Sequence, residues 1–383
     1  MTAPASDIDF DDVEALLAGD TRGALRSAAL GGAQVRAVAA AVEEGALARL
    51  AGLRPRSVVL VAGHGSSARA AGLVVATLGA RLGVPLIHVA QAPSWVGPLD
   101  LVVVTGEDAG DPRLVHSVAQ AVRHGAEVIV AAPDEGPLRA AGAGRAITVP
   151  PRMHVLDINS LMHHLAVMLA ALEVVESGTA TAPSGFAEFA DVLDGEALRN
   201  HPRRELFHNP AKSLASRMQG RRVVLAGDSA GARELAGHGA AVLLRVAGTV
   251  AAAAELSDVL AAGPALTSGS LFHDPDFDEP GAGARLVRVF ALSTSASARA
   301  VEMRMAALPD ADLVLAGEEP TPAHLHRQEG RADHGAAGRP GVVQAPAAPP
   351  AAELDDRAEI EQLAVLATRL EMAAAYLQLV GAG

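Results

Sequence analysis

The amino-acid sequence predicts an α/β protein of two similar units in tandem, each a parallel sheet flanked by helices. Short apolar, β-branched runs such as Val58–Val61 alternate with segments of helical periodicity, which is typical of a parallel, doubly wound sheet. The stretch Arg56–Gly72 (RSVVLVAGHGSSARAAG) reads as strand, turn and helix. Arg221–Ala236 (RRVVLAGDSAGARELA) repeats that order, with Gly227 in the place of Gly63. A chain of 383 residues also exceeds one ordinary hydrophobic core.

The amino-acid composition and net charge argue against several classes of function. Half of the residues are hydrophobic but only 2% are aromatic, so the core must consist of Ala, Val and Leu side chains. The formal net charge of −13 argues against binding to a nucleic-acid backbone. The absence of cysteine excludes disulfides, thiolate catalysis and thiolate metal sites. The N-terminal segment is acidic and no uninterrupted apolar run reaches the length of a membrane span, so we expect a soluble, cytoplasmic protein with no membrane partner.

The first unit is expected to occupy residues 1–152, with helices ahead of its sheet. Helical periodicity predicts helices at Asp11–Leu17, Arg22–Leu30, Gln34–Leu53, Ala68–Leu78, Pro112–His124 and Pro137–Ala141. Apolar runs predict strands at Val58–Val61, Pro85–Ala90, Leu99–Val104, Glu127–Ala132 and Arg145–Val149.

Residues 153–186 are expected to link the units, and residues 187–383 to form the second one. The link consists of a long helix, Asp157–Glu176, apolar on one face, and a small-residue linker, Ser177–Ser184. Strands are predicted in the second unit at Arg222–Leu225, Ala241–Leu244, Arg285–Leu292 and Ala311–Ala316. Residues 318–354 are a low-complexity insertion, with Glu318–Pro350 rich in Gly, Pro, Ala and His, and Asp355–Val380 is an amphipathic C-terminal helix.

The turn after the first strand is the main candidate site. Gly63, Gly65, Ser66 and Ser67 lie between that strand and a helix, where free backbone N–H groups and the positive helix end attract an anion. Small residues permit close approach and the two hydroxyls add donors suited to phosphate. A serine that only caps the helix is the alternative interpretation.

Five short segments in this order resemble the two-domain bacterial and archaeal phosphoglucose/phosphomannose isomerases, which contain tandem sugar isomerase (SIS) domains. The segments are Gly63–Ala68 (GHGSSA), Pro151-Arg152, His208–Ala215 (HNPAKSLA), Leu271–Asp274 (LFHD) and Ala373–Leu377 (AAAYL). Together they extend over nearly the whole chain.

The resemblance implies aldose–ketose isomerisation of a hexose 6-phosphate, in which glucose 6-phosphate or mannose 6-phosphate becomes fructose 6-phosphate through an enediol. It implies that Ser66 and Ser67 hold the phosphate and that Arg152 contacts the substrate. Gly63, Gly65 and Thr105 would shape the phosphate site, and His273 would assist ring opening. It implies a homodimer that binds a small-molecule sugar phosphate, with no metal and no organic cofactor.

Two departures from the family pattern favour a second hypothesis. The family has a Ser/Thr-rich loop after the third strand, whereas Thr105–Asp111 (TGEDAGD) offers one hydroxyl and three carboxylates, at Glu107, Asp108 and Asp111. The family's run that carries the proton-transferring glutamate has no counterpart here, so no base can be named. A protein that keeps the phosphate turn without that glutamate is typical of a non-catalytic sugar-phosphate sensor.

A third hypothesis is a serine hydrolase. Gly227–Gly231 (GDSAG) matches G-x-S-x-G between a strand and a helix, and Asp274, Asp310, His324 and His326 follow in the order of a Ser-Asp-His triad. Against it, no H-G-G-G oxyanion motif precedes the serine, and these histidines lie in a low-complexity stretch.

The remaining histidines are not expected to bind a metal. His324, His326 and His334 have no fixed helical spacing. His163 and His164 are adjacent on the linking helix, so at least one of them is expected to face away from the core.

Overall fold

The computed structural model describes residues 8–181, 183–267, 287–306, 308, 311–316, 321–322 and 356–381. It has the predicted α/β architecture of two five-stranded sheets flanked by helices. The chain opens with helices α1 (Val13–Gly19), α2 (Ala24–Ala28) and α3 (Gly31–Glu43), followed by a short 3₁₀ turn at Ala48–Leu50. The predicted helix Gln34–Leu53 therefore ends earlier than expected, since Gly45 with φ of +90° interrupts it.

The first sheet is parallel throughout, with strand order β2-β1-β3-β4-β5. Its strands are β1 (Ser57–Val61), β2 (Leu86–Val89), β3 (Asp100–Thr105), β4 (Glu127–Ala131) and β5 (Ile147–Thr148). Helices α4 (Gly65–Leu78), α5 (Pro112–Arg123) and α6 (Gly136–Gly142) connect them. Every residue of β1 and β3 is buried, because both faces of these apolar strands are covered.

The second sheet has strand order β10-β9-β8-β6-β7, parallel except for β10. Its strands are β6 (Arg222–Gly227), β7 (Ala251–Glu255), β8 (Val287–Leu292), β9 (Ala311–Val314) and β10 (Thr321–Pro322). The last of these shows that residues 321–322 of the predicted insertion pair with β9.

One strand prediction is wrong. Ala241–Leu244 lies inside helix α10 (Ala230–Ala247), and the strand that pairs with β6 at the sheet edge is β7, four alanines and a glutamate. Alanine has low strand propensity, so β7 has no signal of its own in the sequence. Its place is decided by backbone pairing with β6 and by its position between α10 and α11 (Leu256–Thr267).

Long helices lie between the two sheets. They are α7 (Leu161–Ser177), α8 (Phe186–Arg199), α9 (Pro210–Met218) and the C-terminal helix (Asp356–Gly381); α12 (Ala298–Met305) covers the second sheet. The segments Asp157–Ser177 and Arg357–Gly381 are long and apolar enough to cross a membrane by length and composition alone. They are 83% and 94% buried within the protein, as core helices are, and one apolar cluster runs through both halves.

The helix α7 is buried on all sides rather than on one face. His163 and His164 are 3% and 2% exposed, so the expectation that one of them faces away from the core is wrong. The helix is covered on one side by α3 and on another by α4. Burial, together with the neighbouring His164, lowers the pKa of His163 to about 3, which keeps its imidazole neutral near pH 7.

Candidate functional site

The anion cradle of the first unit is the turn from β1 into α4. The helix begins at Gly65 with His64 as N-cap residue, at the carboxyl end of the buried interior strand β1. This is the edge of a parallel sheet at which ligands bind. The backbone of Gly65 has φ of +69°, a conformation that favours glycine. Gly63 has no comparable constraint, since an added Cβ would approach only Ala90 O, at 3.7 Å.

The carboxylate of Glu107 occupies this cradle. The Ser67 N–H donates to Glu107 Oε1 over 3.0 Å, and the Ser67 hydroxyl lies 3.3 Å from Oε2. From α7 and the residue before it, His164 Nε2 lies 3.5 Å from Oε1 and the Ser160 hydroxyl lies 3.3 Å from the same oxygen. A Cβ on Gly65 would come within 3.1 Å of the carboxylate. The cradle thus binds an anion, and that anion belongs to the chain itself.

Electrostatics keep the Glu107 carboxylate ionised. Burial alone would raise its pKa, but interaction with the His164 imidazole and the hydrogen bond from the Ser67 N–H outweigh burial and lower the pKa to about 2. The sequence indicated Glu107 only as one of three carboxylates in the loop where the resembling family has hydroxyl residues. The structure instead shows one carboxylate of the loop in the place of an anionic ligand, while Asp108 is exposed and Asp111 caps α5 through the Arg113 N–H.

The depressed pKa predicts a pH dependence of stability. An acid with a lowered folded-state pKa stabilises the fold fully above its ordinary value of 4.5, and loses that contribution as the pH falls toward 2. We expect the free energy of unfolding of the wild type to exceed that of Glu107→Gln near pH 6. The difference should shrink between about pH 4.5 and 2, measured by urea denaturation.

The matched control for this pH series is Asp108→Asn, which removes one carboxylate from the same loop. Asp108 is exposed and its carboxylate accepts a hydrogen bond only from Gly110 N, at 2.7 Å, among the contacts described. Because this side chain is exposed, the substitution should change the free energy of unfolding by less than about 0.5 kcal/mol. A difference between the wild type and Glu107→Gln that stays constant with pH would mean that the Glu107 carboxylate has an ordinary pKa.

Ser66 and Thr105, the other hydroxyl residues assigned to the phosphate site, are both buried. The Ser66 hydroxyl is buried and donates to the backbone carbonyls of Asp157 and Ile158, at 3.0 and 2.9 Å, so it fastens α4 to the turn before α7. Thr105 ends β3, and its buried hydroxyl has no hydrogen-bond partner in the described part of the chain. Their roles as phosphate ligands stay predictions.

Arg152 is placed away from the cradle. The Arg152 guanidinium forms a bidentate pair with the Glu44 carboxylate beside the end of α3, where both side chains are substantially exposed. That pairing raises the pKa of Arg152 and lowers that of Glu44. His273 lies outside the described residues, so its assigned role in ring opening stays a prediction.

The repeat of the cradle in the second unit differs in detail. The Ser229 hydroxyl accepts a hydrogen bond from Ala232 N at 3.1 Å and caps α10. A cavity of about 180 Å³ adjoins this turn, lined by polar and charged side chains: Asp228, Ser229, Arg233, Glu255, Ser257 and Arg304. No histidine contacts Ser229 in the hydrogen bonds of the described segments, and Asp274, Asp310, His324 and His326 lie outside them. The serine hydrolase therefore stays an untested prediction.

Sequence reasoning missed the Ser/Thr-rich loop of the second unit. Ser293–Ser297 (STSAS) follows β8, the central strand of the second sheet, which pairs with β6 as β3 pairs with β1. The Ser293 hydroxyl donates to Asp228 Oδ2 over 3.1 Å, which joins this loop to the cradle repeat. The signal was available, since a run of hydroxyl residues after a buried strand is visible in the sequence.

A buried polar cluster joins the two units behind the first cradle. His238 Nε2 on α10 lies 2.8 Å from Glu371 Oε1 on the C-terminal helix, and the Asn159 side-chain amide donates to Glu371 Oε2 over 2.7 Å. All three residues are at most 4% exposed. No group of three or more His, Asp or Glu residues within the described ranges is arranged to hold a metal ion.

No protein-family model matches the chain, and no curated protein sequence matches it. Several solved structures are similar to it in fold. The tagatose-6-phosphate ketose/aldose isomerase from Escherichia coli is 16% identical, with 100% of this chain and 95% of that chain covered at a TM-score of 0.55. The C-terminal domain of glucosamine-fructose-6-phosphate aminotransferase from Francisella tularensis is 11% identical, with 94% and 96% covered at a TM-score of 0.57.

A third structural relative is the glucosamine-6-phosphate deaminase from Thermotoga maritima. It is 11% identical, with 94% of this chain and 95% of that chain covered at a TM-score of 0.55. Coverage above nine tenths in each of these pairs means that both sheets and the helices between them are shared. The chain has the tandem SIS-domain fold that these proteins of phosphosugar chemistry share.

Proposed function

We propose that this chain binds a sugar phosphate and that the phosphate ester is held at the β1–α4 cradle. The observation that carries the proposal is the Glu107 carboxylate, which shows that this turn, with Ser67, Ser160 and His164, stabilises an anion. The three structural relatives are named for tagatose 6-phosphate, fructose 6-phosphate and glucosamine 6-phosphate, all hexose 6-phosphates. A hexose 6-phosphate is therefore the ligand class we propose.

Isomerisation of glucose 6-phosphate or mannose 6-phosphate to fructose 6-phosphate is the activity implied by the sequence resemblance. It requires a base that moves a proton between C1 and C2. Glu107 is the carboxylate placed at the cradle, and its pKa of about 2 makes it a poor base near neutral pH. Binding without turnover is thus the form of the function that the geometry favours, with isomerisation as the alternative to be tested.

Contacts between the cradle and the buried helix α7 support the sensor hypothesis. Helix α4 contacts both α7 and α10, and α10 packs on β6 and β7 of the second sheet. Ser160 and His164, which contact the Glu107 carboxylate, lie at the start of α7. Replacement of Glu107 by a ligand would change contacts to this helix directly. We propose that such a protein acts as a cytoplasmic homodimer, and light scattering at graded concentrations tests the dimer.

Proton NMR of fructose 6-phosphate in D₂O with near-stoichiometric protein tests the binding and the chemistry together. We expect broadening of the sugar resonances without exchange. We expect loss of the broadening in Ser67→Ala, which removes a hydroxyl that lies 3.3 Å from Glu107 Oε2 and donates over 2.9 Å to His64 O. Appearance of glucose 6-phosphate or mannose 6-phosphate deuterated at C2 would establish isomerisation instead. The absence of both broadening and exchange would contradict the proposal.

The matched control is Ser184→Ala. The Ser184 N–H and hydroxyl both donate to Glu173 Oε1, over 2.8 and 3.1 Å, so this residue reproduces the serine–glutamate arrangement of the cradle at an exposed position. The control should broaden the sugar resonances as the wild type does. Equal loss in both serine variants would assign the effect to general stability.

A further inference from the structure

Glu107 stands where the phosphate of the proposed ligand would bind. We propose that Glu107 is a built-in competitor for the cradle, so that a sugar phosphate binds by displacing this carboxylate and Glu107 sets the affinity of the site. The inference rests on the proposed function. It makes Glu107, in the loop Thr105–Asp111, a residue that determines the affinity of the site.

The donors of the cradle suit a phosphate better than the carboxylate they now hold. Glu107 offers two oxygens and one negative charge, and its shortest contact is the 3.0 Å hydrogen bond from the Ser67 N–H. The Ser67 and Ser160 hydroxyls lie 3.3 Å from the carboxylate, and they donate over 2.9 and 2.7 Å to the carbonyls of His64 and Asp157. His164 Nε2 lies 3.5 Å away. A phosphate monoester offers three terminal oxygens and a charge of about −1.5 to −2 at neutral pH. Charge-assisted hydrogen bonds strengthen with the charge of the acceptor, so exchange of carboxylate for phosphate is favourable at these donors.

The backbone around Glu107 is fixed, so the exchange requires rotation of the side chain and not opening of the loop. Gly106 packs so closely that an added Cβ would lie 2.4 Å from Leu114 Cδ1. On the other side, the Asp111 side chain caps α5, and Leu138 N donates to Ala109 O at 3.2 Å. A carboxylate on a fixed backbone beside its own site is a tethered competitor, for which effective concentrations are on the order of millimolar or above.

Displacement also has an electrostatic cost. The released carboxylate would point toward solvent in the same loop as Asp108 and Asp111, and close carboxylates disfavour one another's ionised forms. Removal of the Glu107 charge therefore eliminates both the competitor and the cost of moving it.

The test compares Glu107→Ala, Glu107→Gln and Asp108→Asn by calorimetric titration with fructose 6-phosphate and by phosphorus NMR titration with inorganic phosphate. We expect Glu107→Ala to bind both about tenfold or more tightly than the wild type. Glu107→Gln, which keeps the side-chain shape, should show a smaller gain. Asp108→Asn, which removes the same charge from the same loop, should change the affinity by less than about threefold.

Thermal unfolding gives a second readout. Glu107→Ala leaves the cradle donors without their anion, so its Tm should fall below that of the wild type and rise on addition of inorganic phosphate. The Tm of Asp108→Asn should not respond more strongly to phosphate than that of the wild type.

The outcomes separate this inference from the proposed function. Equal gains in Glu107→Ala and Asp108→Asn would overturn the inference, because loop charge alone would explain them. Binding of fructose 6-phosphate with the same affinity by the wild type and Glu107→Ala would also overturn it while leaving the proposed function intact. Tight binding of inorganic phosphate by Glu107→Ala, with no binding of fructose 6-phosphate by any form, would support the competitor and contradict the proposed ligand.

Discussion

Replacement of Glu196 by alanine is expected to lower the free energy of unfolding by about 3–5 kcal/mol. The Glu196 carboxylate on α8 and the Arg369 guanidinium on the C-terminal helix are both completely buried and paired at 2.7 and 3.2 Å. The substitution removes the carboxylate that Arg369 Nε and Nη2 contact in the interior, while Arg369 Nη1 keeps its 2.8 Å hydrogen bond to Leu315 O. Two more donors, Arg199 Nη2 and Asn200 Nδ2, each 2.6 Å from the carboxylate, would lose their acceptor.

The measurement is urea denaturation of the variant beside Asp191→Ala. Asp191 lies on the same helix and pairs with Arg36 at 2.6 Å, but its side chain is 75% exposed. Solvent screening limits such a pair to about 1 kcal/mol or less. Similar losses in the two variants would mean that burial of the Glu196–Arg369 pair adds nothing to the cost of removing its carboxylate.

Replacement of Gly227 by alanine is expected to destabilise the second unit by about 3 kcal/mol or more. The glycine ends β6, and an added Cβ would lie 2.2 Å from the backbone nitrogen of Arg233 and 2.4 Å from the backbone carbon of Ala232. These are backbone atoms in the first turn of α10. They can move only if the helix shifts away from the strand, which would disturb the packing of both.

Gly63→Ala provides the control, because Gly63 is the equivalent position in the first unit. Its added Cβ would meet only Ala90 O at 3.7 Å, an ordinary van der Waals distance. We expect a change in unfolding free energy of less than about 1 kcal/mol for this variant. A large loss in Gly63→Ala, or none in Gly227→Ala, would contradict the packing seen at the two turns.

The fold class was predictable because its signals are local. Buried runs such as Val58–Val61 and Leu101–Val104 are β-branched or aliphatic, and each is followed by turn residues and helical periodicity. The prediction at Ala241–Leu244 was wrong because four apolar residues fit a strand and a buried helix equally well. Only the pairing of the alanine-rich β7 with β6 decided between them.

One segment of the family-like pattern, N-P-A-K at 209–212, begins a helix and stabilises its first turn. In the N-P-A-K segment, the Asn209 side chain accepts from Lys212 N and caps α9, and Pro210 occupies its first turn. The Lys212 ammonium is buried and donates to the carbonyls of Pro202 and Arg204, at 2.8 and 2.7 Å, and burial lowers its pKa. A motif of this kind supports the fold more than it identifies a ligand.

The sequence by itself determined the α/β class, the tandem repeat and the position of an anion-binding turn. Each of these depends on residues that are neighbours along the chain. The tertiary structure alone decided that Glu107 fills that turn, because its carboxylate is brought there by the parallel pairing of β3 with β1 and is held by Ser160 and His164, more than 50 positions away. It also decided that Gly227 is tightly packed and Gly63 is not. Equivalent residues in a repeat can have different environments, because packing depends on contacts between distant segments and not on local sequence.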